Sequence, residues 1–467
     1  MKKLLSILFL CSAFAANAQI VALKSPDPDE VVIGNMLISK DSENIIVQYD
    51  LLLGQKVESC DIVLKASVDG GQTFAPLTSG LKGDIGTVSG SGIKKALVPL
   101  DIYAPRFTGK QLAFTLEVEN IMKAGVNLSL GGTANCYIVS ASGRYKFKTV
   151  RGNSSESVGS VASAAVLWES FGTSVTPFVG SLIKSASYND GYITFQTADT
   201  FKEGNAVIAA KDAAGNILWS WHIWLTDQPQ GQVYNNGAGT MMDRNLGATS
   251  ATPGDVGALG LLYQWGRKDP FLGSSSISSN TIAKSTITWP SPVSSNSSNG
   301  TIAYATANPT TFVTYNSSNY DWYYTGSSST DNTRWTTSSS GKSIYDPCPA
   351  GWRVPDGGSS GVWSKAVGSS SYFYYTYNST NRGMNFSGEF GSASTIWYPA
   401  AGFRCYDDGA LRHVGAYGYY WSASPKGLDA YFLYFGIGGY VYPSDYRYRA
   451  YGRSVRCLQV IDEVAEP

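Results

Sequence analysis

Apolar and polar residues alternate along short segments through the first half of the chain. Between about residues 31 and 120, segments such as NIIVQYDLLL and CDIVLKASV have this period of two, and turns such as Asp69-Gly70-Gly71 separate them. A second set of such segments follows the glycines at 131 and 132. A period of two is typical of strands with one buried face, so we predict two β-sandwich-like modules, at residues 19–128 and 129–230.

The last segment of the second set, AVIAAKDAAGNILWSWHIWL, has the pattern of a hairpin. Asp212–Asn216 forms its predicted turn, and the strand that follows is apolar on both faces. Such a strand is expected in the centre of a sheet. His222 lies in it, and we interpret this residue as a core histidine with satisfied hydrogen bonds, because no second His or Cys lies at metal-ligand spacing.

The third region, residues 240–460, has a different pattern. Ser, Thr and Asn dominate residues 273–342 and predict a long, solvated insertion with little regular structure. Its aromatic residues indicate that parts of it pack back on the domain: Trp289, Tyr320, Trp322, Tyr323 and Trp335. We assign Trp352, Trp421 and Val455 to the core of this region.

Composition favours β structure and excludes some partners. Lys plus Arg equals Asp plus Glu, at 35 each, and 15% of residues are charged, which argues against nucleic acid or an anionic membrane as the main ligand. The 30 Tyr, 12 Trp and 50 Gly are typical of aromatic strands joined by glycine turns. Exposed Tyr and Trp also favour a binding surface.

The first residues have the pattern of a secretory signal. Lys2-Lys3 precede the apolar run Leu4–Phe14, and Ala16-Asn17-Ala18 resembles a cleavage site, so residues 1–18 are predicted to be removed. A lipidated Cys11 is the alternative, which the bulky Leu10 disfavours. No later stretch reaches the roughly 18 to 20 apolar residues of a membrane span. We expect a secreted or outer-surface protein.

Five cysteines remain after such processing: Cys60, Cys136, Cys348, Cys405 and Cys457. In an oxidising compartment, structural disulfides are expected. Cys348 opens the compact terminal region and Cys457 closes it, which predicts a disulfide clasp between them. Cys405 is then unpaired, and we do not pair Cys60 with Cys136 because they fall in different modules.

The chain has few catalytic candidates. A GxSxG match at Gly357–Gly361 follows Pro355-Asp356 rather than a strand, so it is interpreted as a loop. The chain has two histidines, His222 and His413, which disfavours catalytic triads and histidine-rich metal sites. No cofactor is predicted, and calcium stays open but unsupported because no EF-hand spacing occurs. A glycosidase needs two converging carboxylates, which the sequence does not exclude.

Several motifs carry a family resemblance. MDRNLGA, YQWG, CPAGWRVPD, YYWSAS and GRSVRC occur in an order that resembles the Fibrobacter succinogenes major paralogous domain of exported Bacteroidetes and Fibrobacteres proteins. The match covers roughly the last 220 residues. The resemblance implies a C-type-lectin-like α+β fold with a twisted antiparallel sheet, long loops and clasped ends, and no established activity. Met242, Asp243 and Arg244 depart from the family's usual opening, so the start of the domain is less well defined.

Aromatic and polar residues between Cys405 and Arg456 form the candidate binding surface. The predicted ligand-binding residues are Tyr406, Asp407, Asp408, Tyr417, Tyr442, Asp445, Tyr446 and Arg447. Tyr alternating with Arg is equally the pattern of a half-exposed strand, and Asp407-Asp408 with Gly409 also predicts a turn. The leading hypothesis is a non-catalytic adhesin that binds a glycan or another cell-surface ligand, with the N-terminal modules as a stalk. A polysaccharide-processing enzyme and a subunit of a surface fibre, with a surface protein as partner, are the alternatives.

Overall fold

A computed structural model describes residues 9–10, 23–336 and 341–460. Strands comprise 42% of the residues and helices 6%, which confirms the prediction of a mainly β protein. The chain divides into two compact units, Met1–Val126 and Asn127–Pro467. Apart from the backbone of residues 9–10, the predicted export signal lies outside the described residues. Within the described ranges no helix is long and apolar enough to cross a membrane.

The first unit consists of two sheets around one core. Its elements are β1 (Phe9–Leu10), β2 (Val31–Lys40), β3 (Asn44–Leu53), β4 (Val57–Ser67), β5 (Ala75–Pro76), β6 (Lys82–Gly83), β7 (Gly86–Ser89), β8 (Gly92–Pro99), α1 (Leu100–Phe107) and β9 (Ala113–Lys123). One sheet has the order β2-β3-β8-β6, and the other has the order β1-β9-β4-β5 with β7 beside β4. Val47 and Leu51 of the first sheet share a buried cluster with Ile62 and Leu116 of the second. The predicted alternation thus produces two half-buried sheets.

The second unit begins with two four-stranded sheets. Their strands are β10 (Val126–Asn127), β11 (Cys136–Val139), β12 (Arg144–Lys148), β13 (Ser163–Ser170), β14 (Ile183–Asn189), β15 (Tyr192–Thr197), β16 (Gly204–Lys211) and β17 (Ile217–Leu225). The sheet orders are β10-β12-β15-β14 and β11-β17-β16-β13. The predicted hairpin is confirmed, since Asp212 N donates to Asn216 O at 3.0 Å. β17 is central, as its apolar faces predicted, and lies between β11 and β16.

The rest of the second unit has short elements and one large sheet. Its elements are β18 (Gly231–Tyr234), the 3₁₀ helix Asn235–Gly237, β19 (Gly239–Met242), the 3₁₀ helix Val256–Ala258, β20 (Leu261–Gln264), β21 (Phe271–Leu272), β22 (Val293–Ser294), α2 (Ile302–Ala307), β23 (Val313–Thr314), β24 (Trp352–Arg353), α3 (Val362–Val367), β25 (Phe373–Tyr374), β26 (Gly383–Asn385), β27 (Trp397–Pro399), β28 (Phe403–Arg404), β29 (Leu411–Arg412), β30 (Tyr417–Lys426), β31 (Asp429–Gly436), β32 (Tyr440–Tyr448), β33 (Gly452–Ser454) and β34 (Leu458–Gln459). The large sheet has the order β21-β20-β33-β30-β31-β32-β25, with β28 and β29 attached through β33. A smaller sheet, β18-β19-β34-β24, brings both ends of this region together.

The two parts of the second unit share one hydrophobic core. Cys136, Trp168 and Trp224 from the first part lie in the same buried cluster as Trp265 and Trp421. Buried hydrogen bonds also join the two parts. Asn135 Nδ2 donates to Ile344 O at 2.7 Å, and Asn205 Nδ2 donates to Gly247 O at 2.9 Å. Trp224 Nε1 donates to Ala248 O at 3.0 Å. Residues 129–230 and 240–460 therefore form one compact body.

The disulfide lies in this core. Cys348 is bonded to Cys457, the partner that the sequence favoured, with a Cα–Cα distance of 6.0 Å. Cys60, Cys136 and Cys405 are unpaired and buried. Trp421 and Val455 are fully buried, as expected, whereas Trp352 is partly buried and packs against the cluster.

The Ser- and Asn-rich insertion is less solvated than its composition predicted. Its regular elements in the described residues are the short β22, α2 and β23, which fits the prediction of little regular structure. Trp322 and Trp335 are nevertheless buried, and so is the ion pair between Arg334 and Asp321. The burial of Trp322 and Trp335 confirms the prediction that parts of the insertion pack back on the domain. The prediction of a solvated insertion is wrong for these parts, because buried arginines satisfy the loop carbonyls that strands would otherwise pair. Arg267 Nη1 donates to Thr311 O at 2.8 Å in this way.

Candidate functional site

Seven tyrosines lie on one side of four adjacent strands, and we call this surface the tyrosine face. Its members are Tyr372, Tyr374, Tyr417, Tyr419, Tyr434, Tyr440 and Tyr442. Directly paired residues share a side of a sheet, and Tyr374 pairs with Tyr440, while Tyr434 pairs with both Tyr442 and Tyr419. Two of the seven, Tyr417 and Tyr442, are among the ligand-binding residues predicted from the sequence. The alternating tyrosines in SYFYYTY were the signal for the first two members.

The rings of the tyrosine face contact one another in a continuous row. Ring centroids are 4.6 Å apart for Tyr374 and Tyr440, 5.6 Å for Tyr442 and Tyr434, and 5.2 Å for Tyr434 and Tyr419. Tyr372 stacks on Tyr442 at 5.4 Å. The result is a shallow, partly exposed aromatic surface rather than a pocket.

A β-bulge places Tyr446 on the opposite side of the sheet. Tyr434 pairs with Tyr442 and Phe432 pairs with Asp445, so β32 has one residue more than β31 over this interval. Tyr446 therefore pairs with Tyr431, and its ring lies 6.0 Å from that ring. Regular alternation along β32 would have put Tyr442 and Tyr446 on the same side of the sheet, and the bulge prevents this. The prediction that Tyr446 and Tyr442 form one surface is wrong for this reason.

A second aromatic cluster surrounds Tyr406. Its rings are those of Tyr315, Tyr320, Tyr406, Tyr448 and Tyr451. Tyr320 comes from the insertion and stacks on Tyr448 at 4.3 Å. Its φ of 54° lies in the left-handed region, which a bulky residue adopts when its surroundings hold it there. Phe403 connects this cluster to the tyrosine face, at 5.2 Å from Tyr451 and 5.1 Å from Tyr419.

A buried arginine lies beside the tyrosine face. The Arg453 guanidinium carbon is 3.7 Å from the ring centroid of Phe432 and 5.1 Å from that of Tyr419. Its Nε and Nη1 have no hydrogen-bond partner among the described residues, and neither has the buried Oδ1 of Asp429. Burial lowers the pKa of Arg453 to about 10 and raises that of the Asp429 carboxyl. The aromatic rings are thus the main partners of the Arg453 cation.

Asp445 and Arg447 share the side of the tyrosine face. Asp445 pairs with Phe432 and Arg447 pairs with Ala430, whose side chains point to that side. Arg447 is exposed, and its Nη1 donates to Tyr446 O at 3.0 Å. Polar groups able to hydrogen-bond a ligand therefore border the aromatic row.

Three hydroxyls of the tyrosine face, those of Tyr374, Tyr419 and Tyr434, stay protonated at neutral pH because their pKa values are raised. The hydrogen bond to Tyr440, followed by partial burial, raises the pKa of Tyr374 to about 12. Burial raises the pKa of Tyr434 to about 12 and that of Tyr419 further. These groups can donate and accept hydrogen bonds, but they are poorly suited to proton transfer near pH 7.

Asp407 and Asp408 lie in the turn that the sequence predicted. One carboxylate oxygen of each and Cys405 Sγ lie within 4.8 Å of one another. Arg412 Nη2 is 2.6 Å from Asp408 Oδ2 and 3.7 Å from Asp407 Oδ1. These carboxylates already have a cationic partner, and the structure adds no support for calcium there.

The GxSxG match also has the predicted loop conformation. Gly358 to Gly361 form a turn, and Ser359 is exposed. A helix, α3, does follow at Val362, but no strand leads directly into the turn. The geometry lacks the strand-to-helix elbow that would present a nucleophile.

The cavities of the second unit are small. One, of about 10 Å³, lies between Asn205, Gly247 and Gly260, and no Asp or Glu lines it. Another of about 10 Å³ is lined by Asp269, which is ion-paired with Lys268 at 2.7 Å. Each has room for about one water molecule.

A buried Cys-His-Asn cluster lies beneath the junction of the two parts of the second unit. Parallel pairing of β11 with β17 puts Cys136 opposite His222, and Cys136 Sγ lies 3.3 Å from His222 Nδ1. His222 Nε2 lies 2.8 Å from Asn205 Oδ1. Asn205 donates its own amide to Gly247 O, so His222 carries its proton on Nε2 and accepts from the Cys136 thiol on Nδ1.

This cluster has the residue types of a catalytic triad, but its side chains are buried and neutral, as in a protein core. Burial lowers the pKa of His222 to about 3 and raises that of the Cys136 thiol. Both groups are neutral, and the thiol is not the nucleophilic thiolate. The geometry supports the interpretation of His222 as a satisfied core histidine, although no sequence pattern indicated Cys136 as its partner.

We expect His222 to make the protein less stable in acid. The unfolded imidazole takes up a proton near pH 6.5, while the buried one does so near pH 3, so the free energy of unfolding should fall by about 1.4 kcal/mol per pH unit as the pH drops between these values. His222→Gln should lack this contribution. Urea unfolding of both proteins from pH 7 to 4 measures it. Equal pH slopes would contradict a neutral buried imidazole.

No known family model matches the chain, and no curated protein matches it. Function is therefore argued from the surfaces described above.

Proposed function

We propose that the chain is an exported, surface-associated, non-catalytic glycan-binding protein, an adhesin whose tyrosine face holds the ligand and whose first unit acts as a stalk. The observation that carries the proposal is the row of seven tyrosines across β25, β32, β31 and β30. Aromatic rings stack on the apolar faces of sugar rings, and the hydroxyls, Asp445 and Arg447 can bond the sugar hydroxyls.

The form of the surface favours binding over hydrolysis. A glycosidase places two carboxyl groups on either side of the scissile bond in a cleft. The two cavities described above have no such pair, because one has no acidic lining residue and the other has the ion-paired Asp269. The protonated tyrosines add hydrogen-bonding capacity without an acid or base matched to neutral pH.

The length of the row favours an extended ligand. Neighbouring ring centroids lie 4.6 to 6.5 Å apart, and the row crosses four strands. A chain of several sugar units can contact several of these rings at once, whereas a single sugar contacts one or two. We therefore expect affinity to increase with the number of sugar units.

A glycan array on the full chain, followed by titration of oligosaccharides of increasing length, tests the proposal. Tyr440→Ala/Tyr442→Ala should weaken binding by tenfold or more, since each stacked ring contributes on the order of 1 kcal/mol. Tyr446→Ala is the matched control, because Tyr440 and Tyr446 lie in the same strand, are each 42% exposed and face opposite sides of the sheet.

Two outcomes would reject the tyrosine face as the site. One is retention of binding by the double variant with loss in Tyr446→Ala, which would place the ligand on the other side of the sheet. The other is a folded, oxidised protein that binds no glycan.

A further inference from the structure

The loop between β13 and β14 presents three apolar side chains to solvent. Val175 is 59% exposed, and Phe178 and Val179 are each 84% exposed. Lone exposed apolar residues are common, but three at one loop tip are not. We propose that this tip inserts into the surface of a phospholipid membrane and gives the protein a second attachment site, independent of glycan binding.

The tip is held in place by a buried carboxylate. Glu169 is fully buried, and its oxygens accept hydrogen bonds from the backbone N–H groups of Gly180, Leu182 and Ile183 at 2.6 to 2.8 Å. Pro177 is buried between the exposed Val175 and Phe178. These bonds fix the backbone on the C-terminal side of the tip.

Hydrogen bonds to the insertion brace the other side of the loop. Lys284 N donates to Thr173 O at 2.9 Å, and Ser170 Oγ donates to Lys284 O at 2.6 Å. Phe178 N donates to Ser181 Oγ at 2.9 Å, and Ser181 N donates back to Phe178 O. A braced tip loses little conformational freedom when it enters a lipid surface.

The charges at the base of the loop suit phosphate headgroups. Lys184, Lys202 and Lys284 are exposed there. Asp199 is ion-paired with Lys184 at 2.8 Å, so Lys202 and Lys284 are the lysines available to a headgroup, with the exposed Glu203 beside Lys202. Lysines around an apolar tip are typical of interfacial anchors, in which apolar insertion and headgroup contacts act together.

A lipid surface fits the tip better than a second copy of the chain. The two cavities described above, at about 10 Å³ each, are too small to take the Phe178 ring of a second copy. The three side chains also offer a few hundred Å² at most, well below the roughly 800 Å² per partner of a stable protein interface. Partial insertion of a few apolar side chains into lipid has no such size requirement.

Co-sedimentation of the full chain with phosphatidylcholine vesicles, with and without phosphatidylglycerol, tests the proposal. Val175→Ser/Phe178→Ser/Val179→Ser should weaken binding at least tenfold. Changing Lys202 and Lys284 to Gln should remove the extra affinity for phosphatidylglycerol. Leu130→Ser is the matched control, since Leu130 is 83% exposed in a turn elsewhere in the second unit. Because the run Leu4–Phe14 can itself bind lipid, the readout is the difference between variants with the same N-terminus.

A fluorescent label places the tip directly. Among the described cysteines, three are buried and two are paired, so Val175→Cys can be labelled selectively once Cys11, outside the described residues, is changed to Ser. A dye there should shift to the blue on vesicle addition, and one at Leu130→Cys should not. Equal vesicle binding by the triple serine variant, or no spectral shift at residue 175, would overturn the proposal. Self-association of the wild type that the triple variant abolishes would assign the tip to a protein contact instead.

Discussion

A chain in which Cys348 and Cys457 are both replaced by serine should unfold with a free energy about 4 to 5 kcal/mol smaller than that of the oxidised protein. The two cysteines are 109 residues apart in the sequence, and the bond between them removes much of the freedom of the unfolded chain. The segment that they enclose includes most strands of the large sheet and long loops. Urea unfolding of the full chain, followed at the transition of the second unit, measures the difference in the free energy of unfolding.

Cys405→Ser is the control for this prediction. Cys405 is buried in the same region but unpaired, so the substitution changes a buried thiol without removing a cross-link. We expect it to lower the free energy of unfolding by about 1 kcal/mol. A double serine variant with no larger effect than Cys405→Ser would mean that the clasp adds nothing beyond local packing.

The second large effect is expected at the buried ion pair of the insertion. Arg334→Met should lower the free energy of unfolding by about 3 to 5 kcal/mol, because Asp321 is then left as an unpaired charge in the core. Both side chains are fully buried, and the guanidinium lies 5.0 Å from the ring of Trp265 and 4.9 Å from that of Trp322.

A double-mutant cycle separates the charge from the packing. Arg334→Met/Asp321→Asn should be more stable than Arg334→Met alone, since no uncompensated charge remains. Arg412→Met breaks an exposed ion pair with Asp408 and should lower the free energy of unfolding by less than about 1 kcal/mol. If Arg334→Met were as mild as Arg412→Met, the insertion would not depend on its buried charges.

Local patterns predicted the features that depend on local pairing. Alternation predicted the mainly β class, and the two-sided apolar segment predicted the central position of β17. The Asp212–Asn216 turn follows from residues that are adjacent in the chain. Such features need no knowledge of distant partners.

The remaining features depend on partners far apart in the sequence. The bulge in β32 moves Tyr446 to the other side of the sheet, and a period of two contains no information about an extra residue. Cys136 and His222 meet because β11 and β17 pair in parallel, although the two residues are 86 positions apart in the sequence. The insertion looked solvated because its composition is polar, whereas its burial depends on arginines outside it, such as Arg267 and Arg449.

The hydrogen bonds of Asn135 and Asn205 across the second unit have a consequence for how the chain can be divided. A recombinant fragment that starts at Thr240 would lose the donors to Ile344 O and Gly247 O and would expose the ring surfaces that Trp168 and Trp224 cover. Unsatisfied carbonyls and bare apolar surface favour aggregation. The smallest fragment containing the tyrosine face that we expect to fold independently, and so to be usable in a fusion protein, therefore begins near Asn127.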